Sequence, residues 1–126
     1  MREQTVARIA ANTMKKGDVL GVARFAGVQA AKDAASYLPL SVPVLVRSVG
    51  VDFELIGDAI EVVAAVEAVN TVGLEMPALS AVTAAMLTIY DMCKSADRTM
   101  TIGPVELVAR EGELSSDWRR DAERDT

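Results

Sequence analysis

Between Pro43 and Val69 the apolar residues change period, and this change restricts the fold more than any other feature of the chain. Val49, Val51, Phe53 and Leu55 alternate with Gly50, Asp52 and Glu54, the pattern of a half-buried strand. Gly57-Asp58 supplies a turn. Residues 59–69 resume the alternation, with Ile60, Val62, Ala64 and Val66 on one face and Glu61 and Glu67 on the other. Two such runs joined by Gly-Asp predict an antiparallel hairpin. A hairpin with one apolar face must be covered, so the flanking segments have to provide a second layer.

Those flanks read as helices. Residues 3–13 form a short one with Val6, Ile9 and Ala10 on one face, broken by Gly17. Asp18 caps a longer helix over 19–37, because its carboxylate accepts from the free N–H groups of a first turn. That helix is rich in small residues (Ala23, Ala26, Gly27, Ala30, Ala31, Ala34) and so suits close packing; Pro39 ends it. After a loop over 70–75, a helix over 76–96 places Met76, Leu79, Val82, Thr83, Met86, Ile89, Tyr90 and Cys93 toward the sheet. Pro77 fits its first turn. A third strand is expected from Met100 to Arg110. The sum is an α+β fold with helices packed on one face of an antiparallel sheet. Residues 1–112 make a single domain and 113–126 a loose polar tail, in which Trp118 is available to a partner. Only 4% of residues are aromatic and about half are apolar, so the core is thin and aliphatic. A thin sheet in a chain of 126 residues favours a homo-oligomer.

Charge and residue usage remove several classes. A net charge of −5 argues against a nucleic-acid partner, which requires a cationic surface. The single cysteine, Cys93, allows no intramolecular disulfide and suits a reducing cytoplasm. Met1-Arg2-Glu3-Gln4 opens no apolar run of the kind a signal peptide needs, and no uninterrupted apolar stretch approaches the roughly 18 residues of a membrane span, so no membrane partner is expected. Histidine is absent, which removes the commonest metal ligand, and no metal site is expected.

Several side chains carry chemistry. Asp91 and Lys94 are three apart on a helix and share a face. A carboxylate beside an ammonium tunes both groups and moves protons; the alternative is an ordinary surface ion pair. Lys16 precedes a helix start, where an anion is favoured. Arg24 is either a phosphate contact or a solvated charge. Glu75 is either catalytic or a helix cap. Cys93 reads as packing rather than as a nucleophile.

Three blocks of residues extend this reading. The first is Lys16-Gly17-Asp18-Val19, Ala23-Arg24, Ala26-Gly27-Val28-Gln29-Ala30-Ala31-Lys32 and Leu38-Pro39-Leu40. The second is Gly73-Leu74-Glu75-Met76 with Ala78-Leu79. The third is Leu87-Thr88-Ile89-Tyr90-Asp91-Met92-Cys93-Lys94, continued by Ile102-Gly103-Pro104-Val105. In this order, over about residues 3–110, they resemble the cyclic pyranopterin monophosphate synthases, the MoaC family of molybdenum-cofactor biosynthesis.

The resemblance implies a ferredoxin-like fold, a hexamer built as a trimer of dimers, and an active site where subunits meet. It implies conversion of 3′,8-cyclo-dihydro-GTP into cyclic pyranopterin monophosphate, a small-molecule reaction with no redox cofactor. Asp91 and Lys94 match the family's acid–base pair, and Lys16 and Glu75 match substrate contacts. Leu40, Ser41, Val42, Met76 and Pro77 occupy substrate-binding positions, and Arg24 falls in the first block. Departures are equally specific. Val42 stands where the family has histidine, and Pro77 where it has the second glutamate of Glu-Met-Glu. The basic residue before that triplet has no match in Val69-Asn70-Thr71-Val72. The family's further N-terminal strand and helix half lie before the point where this chain begins, and Gly112-Glu113-Leu114-Ser115-Ser116 replaces a Gly-Gly-Lys-Ser-Gly-like tail. Loss of polar contacts with retention of the acid–base helix leads to the expectation of a non-redox cyclisation or rearrangement of a different, less charged substrate. The alternatives are the family reaction itself and a non-catalytic scaffold paired with an intact paralogue.

Overall fold

The computed structural model describes residues 1–69, 73–112 and 117–120. Helix α1 spans Glu3–Ala10, α2 Val19–Tyr37 and α3 Glu75–Cys93; strands β1 (Val46–Ile56) and β2 (Ala59–Ala68) lie between α2 and α3. They form the expected hairpin, Phe53 opposite Val62 and Val51 opposite Ala64, with Gly57 at φ +52° in the turn. The domain is therefore α+β, with helices covering the apolar face of an antiparallel sheet. Val51 is buried at the centre, while Asp52, Glu54, Glu61 and Glu67 face solvent.

The layer beneath is set by small residues. Ala23, Gly27, Ala31 and Ala34 of α2 are buried, and the stripe they meet on α3 contains Pro77, Ala81, Ala85 and Ile89. The α3 stripe steps by four residues and the α2 stripe by four and then three, the spacings at which helix surfaces interdigitate. A Cβ at Gly27 would stand 3.0 Å from the Ala81 carbonyl oxygen and 3.1 Å from Val51 Cγ2, so glycine permits α2 to touch α3 and β1 together. The sequence reading placed the larger residues of α3 on its inner face; Ile89 and Cys93 are there, but Thr83 is exposed, and Met76, Leu79, Val82, Met86 and Tyr90 are only half-buried. The alanines go inside because α2 comes too close for anything larger. By length and composition α3 is apolar enough to cross a membrane, yet it packs between α2 and β2 as a core helix does.

Four boundaries differ from the sequence-based expectation, the first being that α3 ends at Cys93 rather than at 96. Helix α1 stops at Ala10 because Asn12 takes φ +56°, a left-handed conformation that asparagine tolerates; Gly17 lies beyond this end. The third strand expected over 100–110 is reduced to β3, Ala109–Arg110. Gly103 at φ +109° turns the chain out of the strand conformation, and Pro104 has no N–H to give a ladder. β3 pairs with β4, Trp118–Arg119, so this part of the polar tail is held rather than loose. Trp118 contacts its own chain, with the Arg120 guanidinium 5.4 Å from its ring centre. The expectations for 70–72, 113–116 and 121–126 lie outside the described residues.

Asp97, just past α3, ties α1 to the rest. Its carboxylate is 1% exposed and accepts from Arg2 N–H (2.8 Å), the Thr5 hydroxyl (3.0 Å), and Thr99 N–H (2.9 Å) and hydroxyl (2.6 Å). The Thr99 bonds, with the others, hold its carboxyl well below the usual carboxylate range. A depressed folded-state pKa contributes stability that is present above the unfolded value of about 3.9 and lost as pH falls through the folded one.

Two outcomes are expected. Gly27→Val should destabilise the fold by about 2 kcal/mol, because neither the Ala81 backbone nor Val51 can move away cheaply. Asp97→Ala should cost about 3 kcal/mol at neutral pH by stranding buried donors, and its deficit should shrink below about pH 4, where the native carboxylate also begins to lose its advantage. Urea unfolding across pH measures both.

Candidate functional site

Antiparallel packing of α2 against α3 brings the approach to α2 beside the end of α3. Lys16, two residues before the Asp18 cap, reaches across and donates from Nζ to the Asp91 carbonyl oxygen at 3.2 Å. Asp18 caps α2 as expected, accepting from Gly21 N–H at 3.0 Å. On the last turn of α3, Lys94 Nζ donates to Asp91 Oδ1 at 2.7 Å. Three residues separated by up to 78 positions therefore meet at one corner of the molecule. The Asp91 and Lys94 side chains are 66% and 45% exposed, and an exposed pair of this kind adds little stability. Its significance is chemical. The Lys94 hydrogen bond and charge, followed by the Lys16 charge, hold the Asp91 carboxyl below its ordinary range. A carboxylate kept ionised between two ammonium groups leaves one net positive charge, which suits an anion that also has a proton to give up.

The other matched residues sit at the opposite end of α3. Pro77 is buried; with Ser41, Val42 and Pro43 of the loop before β1, and with Ala31 and Ala34 of α2, it lines a cavity of about 70 Å³. Lys32 stands in the same lining as its only charged residue among the described residues. Leu40 is 97% exposed, and Met76 is half-buried. Glu75 opens α3 without capping it: the cap position is Leu74, with no side-chain bond. Instead Glu75 Oε2 lies 3.5 Å from Arg110 Nη1, both side chains about three-tenths exposed. Arg110 carries no motif that the sequence reading used, and only the folding back of β3 onto the start of α3 exposes the link. Asp91 follows Pro77 by 14 residues, about 21 Å of helix, so one chain holds two clusters rather than one.

Arg24 joins neither. Its Nε donates to the Val51 carbonyl oxygen at 2.9 Å and its guanidinium lies 5.3 Å from the Phe53 ring centre. It therefore ties α2 to β1 within this chain. Cys93 is fully buried, and burial pushes its thiol up, away from the thiolate a nucleophile needs.

A direct check of the corner geometry is available. Lys94→Ala should raise the Asp91 pKa toward its ordinary value, and Lys16→Ala should raise it by less. Carboxylate titration followed by NMR reads both, and an Asp91 pKa unmoved by either change would contradict the arrangement.

Comparison with known proteins adds to this geometry. The family model described as "MoaC family" matches residues 1–113. A protein named cyclic pyranopterin monophosphate synthase from Roseiflexus sp. (strain RS-1) is 46% identical over 123 residues, covering 96% of this chain and 78% of that relative. Proteins of the same name from Pelobacter propionicus and Geobacter metallireducens are 46% and 45% identical over 123 residues, each covering 96% of this chain and 77% of the relative. With matches of this extent along nearly the whole chain, the protein belongs to the MoaC family.

Proposed function

We propose that this chain is a cyclic pyranopterin monophosphate synthase of molybdenum-cofactor biosynthesis, converting 3′,8-cyclo-dihydro-GTP into cyclic pyranopterin monophosphate in the cytoplasm. The observation that carries the reading is the meeting of Lys16 and Lys94 on Asp91. The two ammonium groups hold the triphosphate. Asp91, ionised at neutral pH, takes the proton of the sugar hydroxyl as that oxygen attacks the nearest phosphorus. The bond to pyrophosphate breaks and the cyclic phosphate closes. Lys94, beside Asp91, is placed to return a proton during ring rearrangement. No electron leaves the substrate, so no redox cofactor is needed.

This reading places the reaction between copies of the chain. Pro77, Val42 and Glu75 lie at one end of α3 and Asp91 and Lys94 at the other, too far apart to surround a single nucleotide-sized molecule. A ferredoxin-like subunit in an oligomer between dimer and hexamer would let the two ends from neighbouring copies share one substrate. The exposure of Asp91 and Lys94 in the single chain suits that arrangement, since a partner would complete their surroundings.

A second reading rests on the cavity. Val42 and Pro77 line the same ≈ 70 Å³ space, and most of its other lining residues are alanine, valine or proline. A substrate with a less polar group at that end would fit it, with the acid–base corner unchanged. Purified protein supplied with the cyclised GTP intermediate separates the two readings. The first predicts release of pyranopterin and pyrophosphate, and a fall in kcat of about 10²–10⁴ in Asp91→Asn. Wild-type protein that leaves the intermediate untouched would remove the first reading and favour the second.

A further inference from the structure

Arg110 meets Glu75 from β3, a strand of two residues whose partner, among the described residues, is the equally short β4. A ladder this short does not hold a side chain in place by itself. The contact it presents is also long: Arg110 Nη1 to Glu75 Oε2 is 3.5 Å, the outer limit of a hydrogen bond. The place of the Arg110 guanidinium is therefore inherited from its backbone, and the residue after β4 holds that backbone.

Arg120 binds three consecutive residues ahead of β3. Its Nε donates to the Leu107 carbonyl oxygen at 2.7 Å, its backbone N–H donates to the Val108 carbonyl oxygen at 2.9 Å, and its Nη1 lies 3.5 Å from Glu106 Oε2. The same guanidinium stands over the Trp118 ring. On the other side of Arg110, Arg119 pairs with Glu111, and Gly112 N–H donates to Asp117 Oδ1 at 3.1 Å. These contacts differ in weight. Arg119 and Glu111 are each about two-thirds exposed, so that pair adds little. Arg120 is about one-third exposed, and its bond to Leu107 has a charged donor, which makes it the stronger kind. A flat guanidinium bonds along its edge while its face lies on an aromatic ring; a lysine ammonium does not do both.

We propose that Arg120 is a positioning residue for the ring end of the substrate: by pinning 106–108 it holds Arg110 beside Glu75, and so sets affinity for the purine-derived ring through Arg110. This rests on the proposed function. A guanidinium donates and a carboxylate accepts, so the two side by side match a ring edge that carries both C=O and N–H. The Asp91 corner lies at the opposite end of α3, and its proton chemistry is left alone.

Steady-state kinetics on the cyclised GTP intermediate test the proposal. Arg120→Ala should raise KM about tenfold while kcat changes by less than about threefold, the pattern of lost binding rather than lost chemistry. Arg120→Lys keeps the charge but not the flat fork, and should still raise KM by about threefold or more. In an Arg110→Ala background, Arg120→Ala should raise KM by less than about twofold further, because the residue it acts through is gone. A KM unmoved in Arg120→Ala would overturn the proposal, as would a full tenfold effect persisting in the Arg110→Ala background. A loss confined to kcat would overturn it too, since a smaller folded fraction gives that result. A second readout needs no turnover: guanidinium NMR of Arg110 in the full chain, where rotation about the Nε–Cζ bond should quicken by about threefold or more in Arg120→Ala. Should wild-type protein leave the intermediate untouched, the proposed function falls, and this measurement alone decides whether Arg120 positions Arg110; unchanged rotation would overturn that role.

Discussion

Gly27 lets α2 approach α3 until the Ala81 carbonyl oxygen is 3.0 Å from the position a Cβ would take, and the placement of both candidate clusters follows from that approach. With Ala23, Ala31, Ala81 and Ala85 also buried, two long helices lie side by side with almost no side chain between them. Because they run in opposite directions, the entry to α2 meets the exit from α3, where Lys16 touches Asp91. The exit from α2 meets the entry to α3, where Ala31, Ala34 and Pro77 bound one cavity. Close packing of small residues is rigid, since little can rearrange without opening a void or a clash. It therefore fixes two widely spaced groups of side chains relative to each other.

The two ends differ in chemistry. One is cationic and solvated, with a carboxylate held ionised by its neighbours. The other is small and mostly apolar, edged by Lys32 and neighboured by the Glu75–Arg110 pair. A purine nucleotide derivative has both kinds of group, charged phosphates at one end and a flat ring system at the other. The proposed function joins the two ends through a neighbouring copy. In the second reading proposed above, Val42 and Pro77, which line that small apolar end, would set the substrate preference.

Much of this was readable before any coordinates. Alternation over 49–55, and Glu61 and Glu67 in phase within the Val- and Ala-rich run after Gly57-Asp58, left one sensible hairpin, and Asp18 announced the start of α2. The three matched blocks gave the family. Other features were hidden for physical reasons. Which face of α3 turns inward depends on how near α2 comes, and periodicity weighted by size favours methionine and leucine over the alanines that are in fact buried. The segment 100–110 alternates well enough to be a strand, but a strand exists only beside another, and within the described residues only Ala109–Arg110 has one. Arg24 read equally as ligand or solvated charge because its partner, the Val51 carbonyl, belongs to the backbone and leaves no mark in the sequence. Asp97 had a signal that went unused: Asp-Arg-Thr directly after a helix is a turn in which the carboxylate bonds two residues ahead, as it does with Thr99.

The central claim is that catalysis needs the Asp91 corner of one copy and the Glu75 end of another. Activity restored by mixing tests this most directly. Asp91→Asn and Glu75→Gln proteins, each inactive alone, are unfolded together, refolded as mixed oligomers and supplied with the cyclised GTP intermediate. A shared site predicts that mixing recovers about a quarter of wild-type turnover, because random pairing leaves one intact site among four combinations. If each chain holds a complete site by itself, the mixture stays as inactive as its parts, and that result would contradict the account.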